Sequence, residues 1–104
     1  MKKKINIGGK KFRIKRVELI EKDPDVLGLI KHNKRLIYLK KENKKTEKDT
    51  LYHEIAHGLI VDLAITGYKN GMKRKYFNFF KKLNDSEPFI EYFSKVLQKT
   101  FKIK

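Results

Sequence analysis

The segment His53-Glu54-Ile55-Ala56-His57 sets two imidazoles four positions apart, with a carboxylate beside the first. On an α-helix, positions i and i+4 share one face a turn apart, so both rings can reach a single metal ion. Glu54 then points round the helix toward the space beside that ion. There it can accept a proton from water on the metal, whose pKa zinc lowers. Residue types and spacing together describe metal-assisted hydrolysis: two neutral nitrogen ligands, an adjacent general base and an open coordination position. The bland alternative is a pair of surface or hydrogen-bonded histidines, and the surroundings oppose it. Leu51, Ile55, Ala56, Leu59, Ile60 and Leu63 make the carrying helix apolar on most sides, the pattern of a buried helix. Two histidines and a glutamate without partners would be costly there. His32, the remaining histidine, falls in a predicted turn and is expected to be exposed.

A catalytic zinc usually takes three protein ligands. No histidine follows His57 and the chain has no cysteine, so the third ligand should be a carboxylate. The metzincin extension requires Gly at 60 and His at 63; Ile60 and Leu63 stand there instead, which excludes that class. The main candidates are Glu87 and Glu91, one turn apart on the last predicted helix, with Asp85 and Asp62 as weaker ones. Glu87 borders that helix's apolar face and can point inward, which favours it, whereas Glu91 projects further toward solvent. Either could instead be a helix N-terminal acid favoured by the macrodipole. Two imidazoles and a carboxylate suit zinc. A closed structural zinc site is disfavoured, because such sites usually use cysteine.

The elements that must position these residues read as α+β: a small antiparallel sheet packed by two or three helices. One domain over 1–104 is expected, strand-rich over 1–43 and helical over 46–104. Ile5 and Ile7 alternate, Gly8-Gly9 makes a turn, and Phe12, Ile14 and Val17 resume the alternation. Asp23-Pro24-Asp25 signals a loop. Leu27 to Lys31 and Arg35 to Lys40 read as a hairpin with His32-Asn33-Lys34 at its turn. Leu36-Ile37-Tyr38-Leu39 is apolar on both faces, as in a strand covered by a helix. Thr46 can cap the next helix, with Asp49 three residues on. That helix is predicted to run to about Ile65 and stop at Gly67. Met72 to Leu83 reads as a second helix. Asp85-Ser86-Glu87-Pro88 starts a third, which places Phe89, Phe93, Val96, Leu97 and Thr100 on one face.

Composition narrows the setting. Twenty-seven Lys plus Arg against twelve Asp plus Glu leave a net charge of +15, which favours nonspecific attraction to nucleic acid or acidic partners. The basic residues are mostly lysine and spread over the whole chain, as on a solvated surface. The basic start Met1-Lys2-Lys3-Lys4 is not followed by an apolar run, so a signal peptide is not expected. The longest apolar run, Gly58 to Ala64, is broken by Asp62 and too short for a bilayer. With no cysteine, a cytoplasmic protein without a membrane span is the expectation.

The chain resembles the small phage and mobile-element zinc metallopeptidases related to the ImmA/IrrE and minigluzincin groups. Thr50-Leu51-Tyr52-His53-Glu54-Ile55-Ala56-His57-Gly58 matches their first helix, of the type xLxHExxHA. Ser86-Glu87-Pro88-Phe89-Ile90-Glu91-Tyr92-Phe93 is similar to their Asn-Glu-x-Phe-Val-x-x-Phe segment. The resemblance spans most of the chain and implies a minimal zincin-like fold, Zn2+ as cofactor and peptidase activity of the gluzincin kind. It implies His53, His57 and Glu87 as metal ligands and Glu54 as the catalytic base. Ser86 replaces the usual Asn, Pro88 follows the proposed ligand directly, and Tyr68 to Asp85 is long for such compact members; Glu91 therefore stays open as the alternative.

The partner implied is a peptide or protein substrate. An exposed edge on the Arg35–Lys40 strand would suit an extended peptide, and the lysines around it suggest an acidic one. Tyr52, Tyr38 and Tyr68 are the donors available to an oxyanion. A second reading, from another class, is a basic module that binds nucleic acid or a regulator and keeps a non-catalytic zinc site. Its best feature is Lys69 to Asn84, where Lys69, Lys73, Arg74, Lys75, Lys81 and Lys82 alternate with Tyr76, Phe77, Phe79 and Phe80. The commoner meaning of such a pattern is an amphipathic helix with its aromatics on the core.

Overall fold

The computed structural model describes residues 3–101. Met1 and Lys2 of the basic start lie outside them. Strands β1 (Lys4–Ile7) and β2 (Lys10–Val17) pair antiparallel across Gly8-Gly9. Both glycines take positive φ, 59° and 81°, and the Asn6 side chain accepts from Gly9 N at 2.8 Å. Along β2, Phe12 and Ile14 turn into the core while Lys11, Arg13 and Lys15 face water. The chain then loops to an antiparallel hairpin, β3 (Gly28–Lys31) and β4 (Leu36–Lys40).

The fold class is α+β as expected, but the sheet is mixed and not wholly antiparallel. Its order is β1-β2-β4-β3, and β2 runs parallel to β4 from Arg13↔Leu36 to Val17↔Lys40. Burial explains the choice. Leu36, Ile37 and Leu39 are all buried, so the strand apolar on both faces takes the interior position. Consequently the Arg35–Lys40 segment is not an edge; the exposed edge on that side belongs to β3.

Three helices follow. In α1 (Lys44–Lys69) the N-cap is Asn43, whose side chain accepts from Thr46 N at 2.9 Å, so Thr46 is capped instead of capping. Asp49 bonds Lys45 and Gln98. The helix runs past Gly67. A Cβ at Gly67 would lie 2.9 Å from Met72 Sδ, so this glycine serves a close contact, and the left-handed turn falls at Gly71, with φ 90°. The second helix, α2, spans Arg74–Asp85, and α3 spans Glu87–Thr100 with Ser86 as its N-cap. Among the described residues no helix is long and apolar enough to cross a membrane.

The core joins Ile7, Phe12, Ile14, Ile37 and Leu39 of the sheet to Leu51, Tyr52, Ile55, Ala56 and Ile60 of α1, and through α1 to Ile90 and Leu97 of α3. Helix α1 is thus the middle layer, between the sheet and the α2–α3 pair. Its burial weakens toward the C-terminus, where Leu63 is exposed. On α3 the buried line is Ile90, Ser94 and Leu97, flanked by half-buried Phe89 and Phe93, while Val96 and Thr100 face out. At the start of α1, buried Glu47 receives both the Nε and an Nη of Arg16 from β2, and the Glu42 N–H at 3.2 Å. The Arg16 hydrogen bonds hold its carboxyl below the usual range.

His32 departs from expectation. It sits in the β3–β4 turn, but both ring nitrogens are buried and have no hydrogen-bond partner, and the ring lies edge-on to Phe12 at 5.3 Å. Burial lowers its pKa; nearby Lys10 and Arg35 act the same way and Asp62 opposes them. A histidine whose folded pKa lies below its unfolded value binds fewer protons when folded. Its stability contribution is therefore complete above about pH 6.5 and is lost as the pH falls below that. Urea midpoints should decline as the pH falls below about 6.5, and His32→Phe should flatten that decline. An unchanged profile would show that His32 protonates without cost.

At Gly28 the edge strand comes close to α1: a Cβ there would lie 2.5 Å from Thr50 Cγ2 and 3.1 Å from Glu54 Cγ. Gly28→Ala should destabilise by about 1–3 kcal/mol, and adding Thr50→Ser, which deletes the Cγ2, should recover part of the loss. Denaturant unfolding of both variants is the check; no recovery would mean the strand shifts elsewhere.

Candidate metal centre

One face of α1 carries Thr50, His53, Glu54 and His57 toward α3 and the free edge of β3. The two imidazole centroids are 4.9 Å apart, with ring planes at 71°. His53 Nε2 lies 3.4 Å from Glu87 Oε2, and His57 Nε2 lies 3.7 Å from Glu87 Oε1. Ligand-type atoms of His53, His57 and Glu87 all fall within 4.8 Å of one another, the one such trio among the described residues. A tetrahedral zinc with bonds of about 2.0–2.1 Å keeps its ligand atoms roughly 3.3–3.4 Å apart. The two separations from Glu87, 3.4 and 3.7 Å, are near that figure and too loose for good hydrogen bonds, so the trio could hold a metal ion.

The opposite nitrogens explain the orientation. His53 Nδ1 is 3.0 Å from Glu91 Oε1, and His57 Nδ1 is 2.8 Å from Asn84 Oδ1. An acceptor on each Nδ1 fixes the proton there and leaves the Nε2 lone pair facing Glu87. All three partners come from one junction. Helix α2 ends at Asp85, Ser86 caps α3 by accepting from Phe89 N, and Pro88 sits in the first turn, where its missing N–H costs nothing. This junction places Asn84 in the last turn of α2, Glu87 at the first position of α3, and Glu91 one turn on.

Glu87 and Glu91, offered as alternatives by the sequence, thus stand at different places. Glu87 faces both Nε2 atoms, while Glu91 faces only His53 Nδ1. Both side chains are largely exposed, Glu87 at 65% and Glu91 at 57%, so Glu91 does not project further into solvent as expected. Asn84 was not anticipated. Asp62 belongs elsewhere, buried near the far end of α1 and paired with Lys10 at 3.2 Å. Asp85 is exposed and outside the trio.

Glu54 is only 7% exposed. Burial pushes its carboxyl up to about 7; a charged His57 draws it down, Glu87 raises it, and a hydrogen bond from the Ile30 N–H lowers it. The source of that bond follows from register. Lys40 N donates to Leu27 O at 2.9 Å, so alternation along the hairpin turns the backbone groups of Gly28 and Ile30 away from β4 and toward the cleft. The cleft, about 700 Å³, opens between β3, the first half of α1 and α3; Gly28, Thr50, His53, Glu54, Glu91 and Lys95 are among its walls. Tyr38, Tyr52 and Tyr68 do not line it. The Tyr52 hydroxyl donates instead to the Phe101 carbonyl.

No known protein family, curated protein or solved structure matches the chain. The site rests on its own geometry.

The geometry predicts the tautomers. In metal-free protein above the imidazole titration range, long-range proton–nitrogen correlation NMR should find both His53 and His57 protonated on Nδ1. Glu91→Ala should release His53 alone toward the Nε2–H form. Two Nε2–H rings in the native protein would contradict the arrangement.

Proposed function

We propose that the chain is a zinc-dependent peptidase of the gluzincin kind, related to the ImmA/IrrE and minigluzincin groups. The observation that carries this reading is the convergence of His53 Nε2, His57 Nε2 and the Glu87 carboxylate, with buried Glu54 beside them. Two neutral imidazoles and one carboxylate fit zinc, and the Nδ1 acceptors Glu91 and Asn84 supply the outer support that such ligands usually have. Zinc bound there would serve as a Lewis acid toward the scissile carbonyl and would acidify water.

The chain's own groups divide the remaining work. Glu54 takes a proton from the attacking water and later passes it to the leaving amine, so that water adds across the C–N bond and no proton is gained or lost overall. Its burial and the single Ile30 N–H keep that carboxylate weakly solvated and basic enough for the task. The free edge of β3 can hold an extended peptide as an added strand through the backbone groups of Gly28 and Ile30. The expected acidic substrate rested on an edge at Arg35–Lys40; with β4 interior, Lys34, Arg35, Lys40 and Lys41 no longer argue for it. A cytoplasmic regulator of a phage or mobile element, as the resemblance implies, fits this reading.

Elemental analysis of purified protein should find about one zinc per chain. Glu87→Ala should abolish it, whereas Glu91→Ala should keep the metal at roughly 10- to 100-fold weaker affinity. Glu54→Gln should hold zinc and lose peptide hydrolysis by about 10²–10⁴-fold. No uptake of supplied zinc would sink the reading; loss with Glu91→Ala but not Glu87→Ala would exchange the two glutamates' roles.

A further inference from the structure

Helix α2 takes no part in the cleft, and its composition and exposure are unlike those of the other two helices. None of its residues is buried. From Leu63 to Asn84 the chain has six Lys or Arg and no acid. Phe80 is half-buried against the core and Phe77 is half-buried beside Tyr68, as an amphipathic helix requires. Tyr76 and Phe79 are instead 48% and 53% exposed. At 100° per residue, Tyr76 and Phe79 share one flank with Lys75 and Lys82. Lys75 Nζ stands 5.0 Å from the centroid of the Tyr76 ring, so a cation and a ring are presented together.

Among the described residues the ring contacts of this flank are local, Phe79 edge-on to Phe80 at 5.8 Å and Tyr76 under Lys75. Lys73, Arg74 and Lys75 crowd the first turn, where the helix dipole disfavours cations, and neither an acid nor a side-chain cap offsets them. Local conflicts of this kind usually mark a surface used for something other than stability.

We infer that the Tyr76–Phe79 flank of α2 is a docking surface for single-stranded nucleic acid. Lys75, Lys82 and the basic first turn track the phosphates, and the two exposed rings stack on bases. An anionic membrane is the poorer match. A helix lying in a bilayer interface needs a continuous apolar face, and here Phe80 and Leu83 are already packed on the core and Phe77 lies against Tyr68. What remains outward is aromatic and basic, which suits stacking better than insertion. The surface lies apart from the metal centre and does not depend on hydrolysis.

Fluorescence anisotropy with a labelled oligothymidylate of about 15 nucleotides tests this at about 0.15 M salt and over a salt series. Binding should weaken steeply with salt, and the Lys75→Glu/Lys82→Glu variant should lose at least about tenfold. At fixed salt, Tyr76→Ala and Phe79→Ala should each lose roughly 5- to 100-fold, and Tyr76→Phe should bind like the native chain. Circular dichroism and melting of each variant keep loss of fold apart from loss of binding; such exposed rings should be dispensable for folding. Glu87→Ala, which removes the proposed zinc ligand, should bind the oligonucleotide unchanged, so the two readings fail separately. Absence of binding at this salt overturns the inference. Alanine variants that bind like the native protein overturn it too, as does capture by phosphatidylserine-containing vesicles with none by the oligonucleotide.

Discussion

Two imidazoles on one helix can serve a single metal only if both Nε2 atoms aim at the same point, and that aim depends on what holds the other nitrogen of each ring. His53 and His57 stand on α1, which is also the helix that joins the sheet to α3 through the core. Leu51, Ile55 and Ile60 must be packed for the molecule to fold, so the rotation of α1 is fixed by burial before any chemistry is considered. With that rotation set, the histidine face needs hydrogen-bond acceptors from outside α1. The α2–α3 junction supplies them at Asn84 and Glu91, with Glu87 between. Stability and site assembly are therefore two results of one packing choice.

Glu54 carries the cost of this arrangement. A carboxylate that is 7% exposed, with Glu87 nearby, would be easier to leave protonated. Two features of the sheet limit the cost without removing it. The hairpin register points the Ile30 N–H at the carboxylate, and Gly28 lets β3 approach α1 closely enough for the bond to form. Gly58 does the same one turn further along, where a Cβ would lie 2.8 Å from Ile30 Cδ1. With side chains at Gly28 of β3 and Gly58 of α1 the strand would stand further off, leaving Glu54 more solvated and further from the Ile30 N–H. The glycines are thus spacing elements around Glu54.

What could be read from sequence was whatever a local pattern encodes. The 3.6-residue periodicity of α1 and the i, i+4 histidines are such patterns, and so is the Ser86-Glu87-Pro88 helix start. Glu87 and Glu91, one turn apart on the same helix, could be ranked only by the helix's apolar face, which favoured Glu87; which ring nitrogen each meets is not encoded there. Asn84 was invisible for the same reason: its role exists only once α2 and α3 are joined at a fixed angle. The parallel β2–β4 pairing and the edge position of β3 are choices among strands, and the hairpin signal specifies only the β3–β4 partnership. His32 looked like an exposed turn residue because turn propensity does not report that Phe12 and the Lys10–Asp62 pair lie behind it. At the start of α1 the cap is Asn43, which bonds the N–H of Thr46, the residue expected to do the capping.

Charge distribution completes the physical picture. A chain with net charge +15 should repel a divalent cation, yet five of its twelve acids, Asp25, Asp49, Glu54, Glu87 and Glu91, stand in or beside the cleft. Over the Debye length of about 8 Å at physiological salt, a metal approaching the cleft meets these carboxylates and not the molecule's average. The region from Leu63 to Asn84 has no acid at all, so the α2 side keeps an uncompensated positive field. Segregating the carboxylates toward one side lets a strongly basic chain present an acidic cleft on one surface and an anion-attracting field on another.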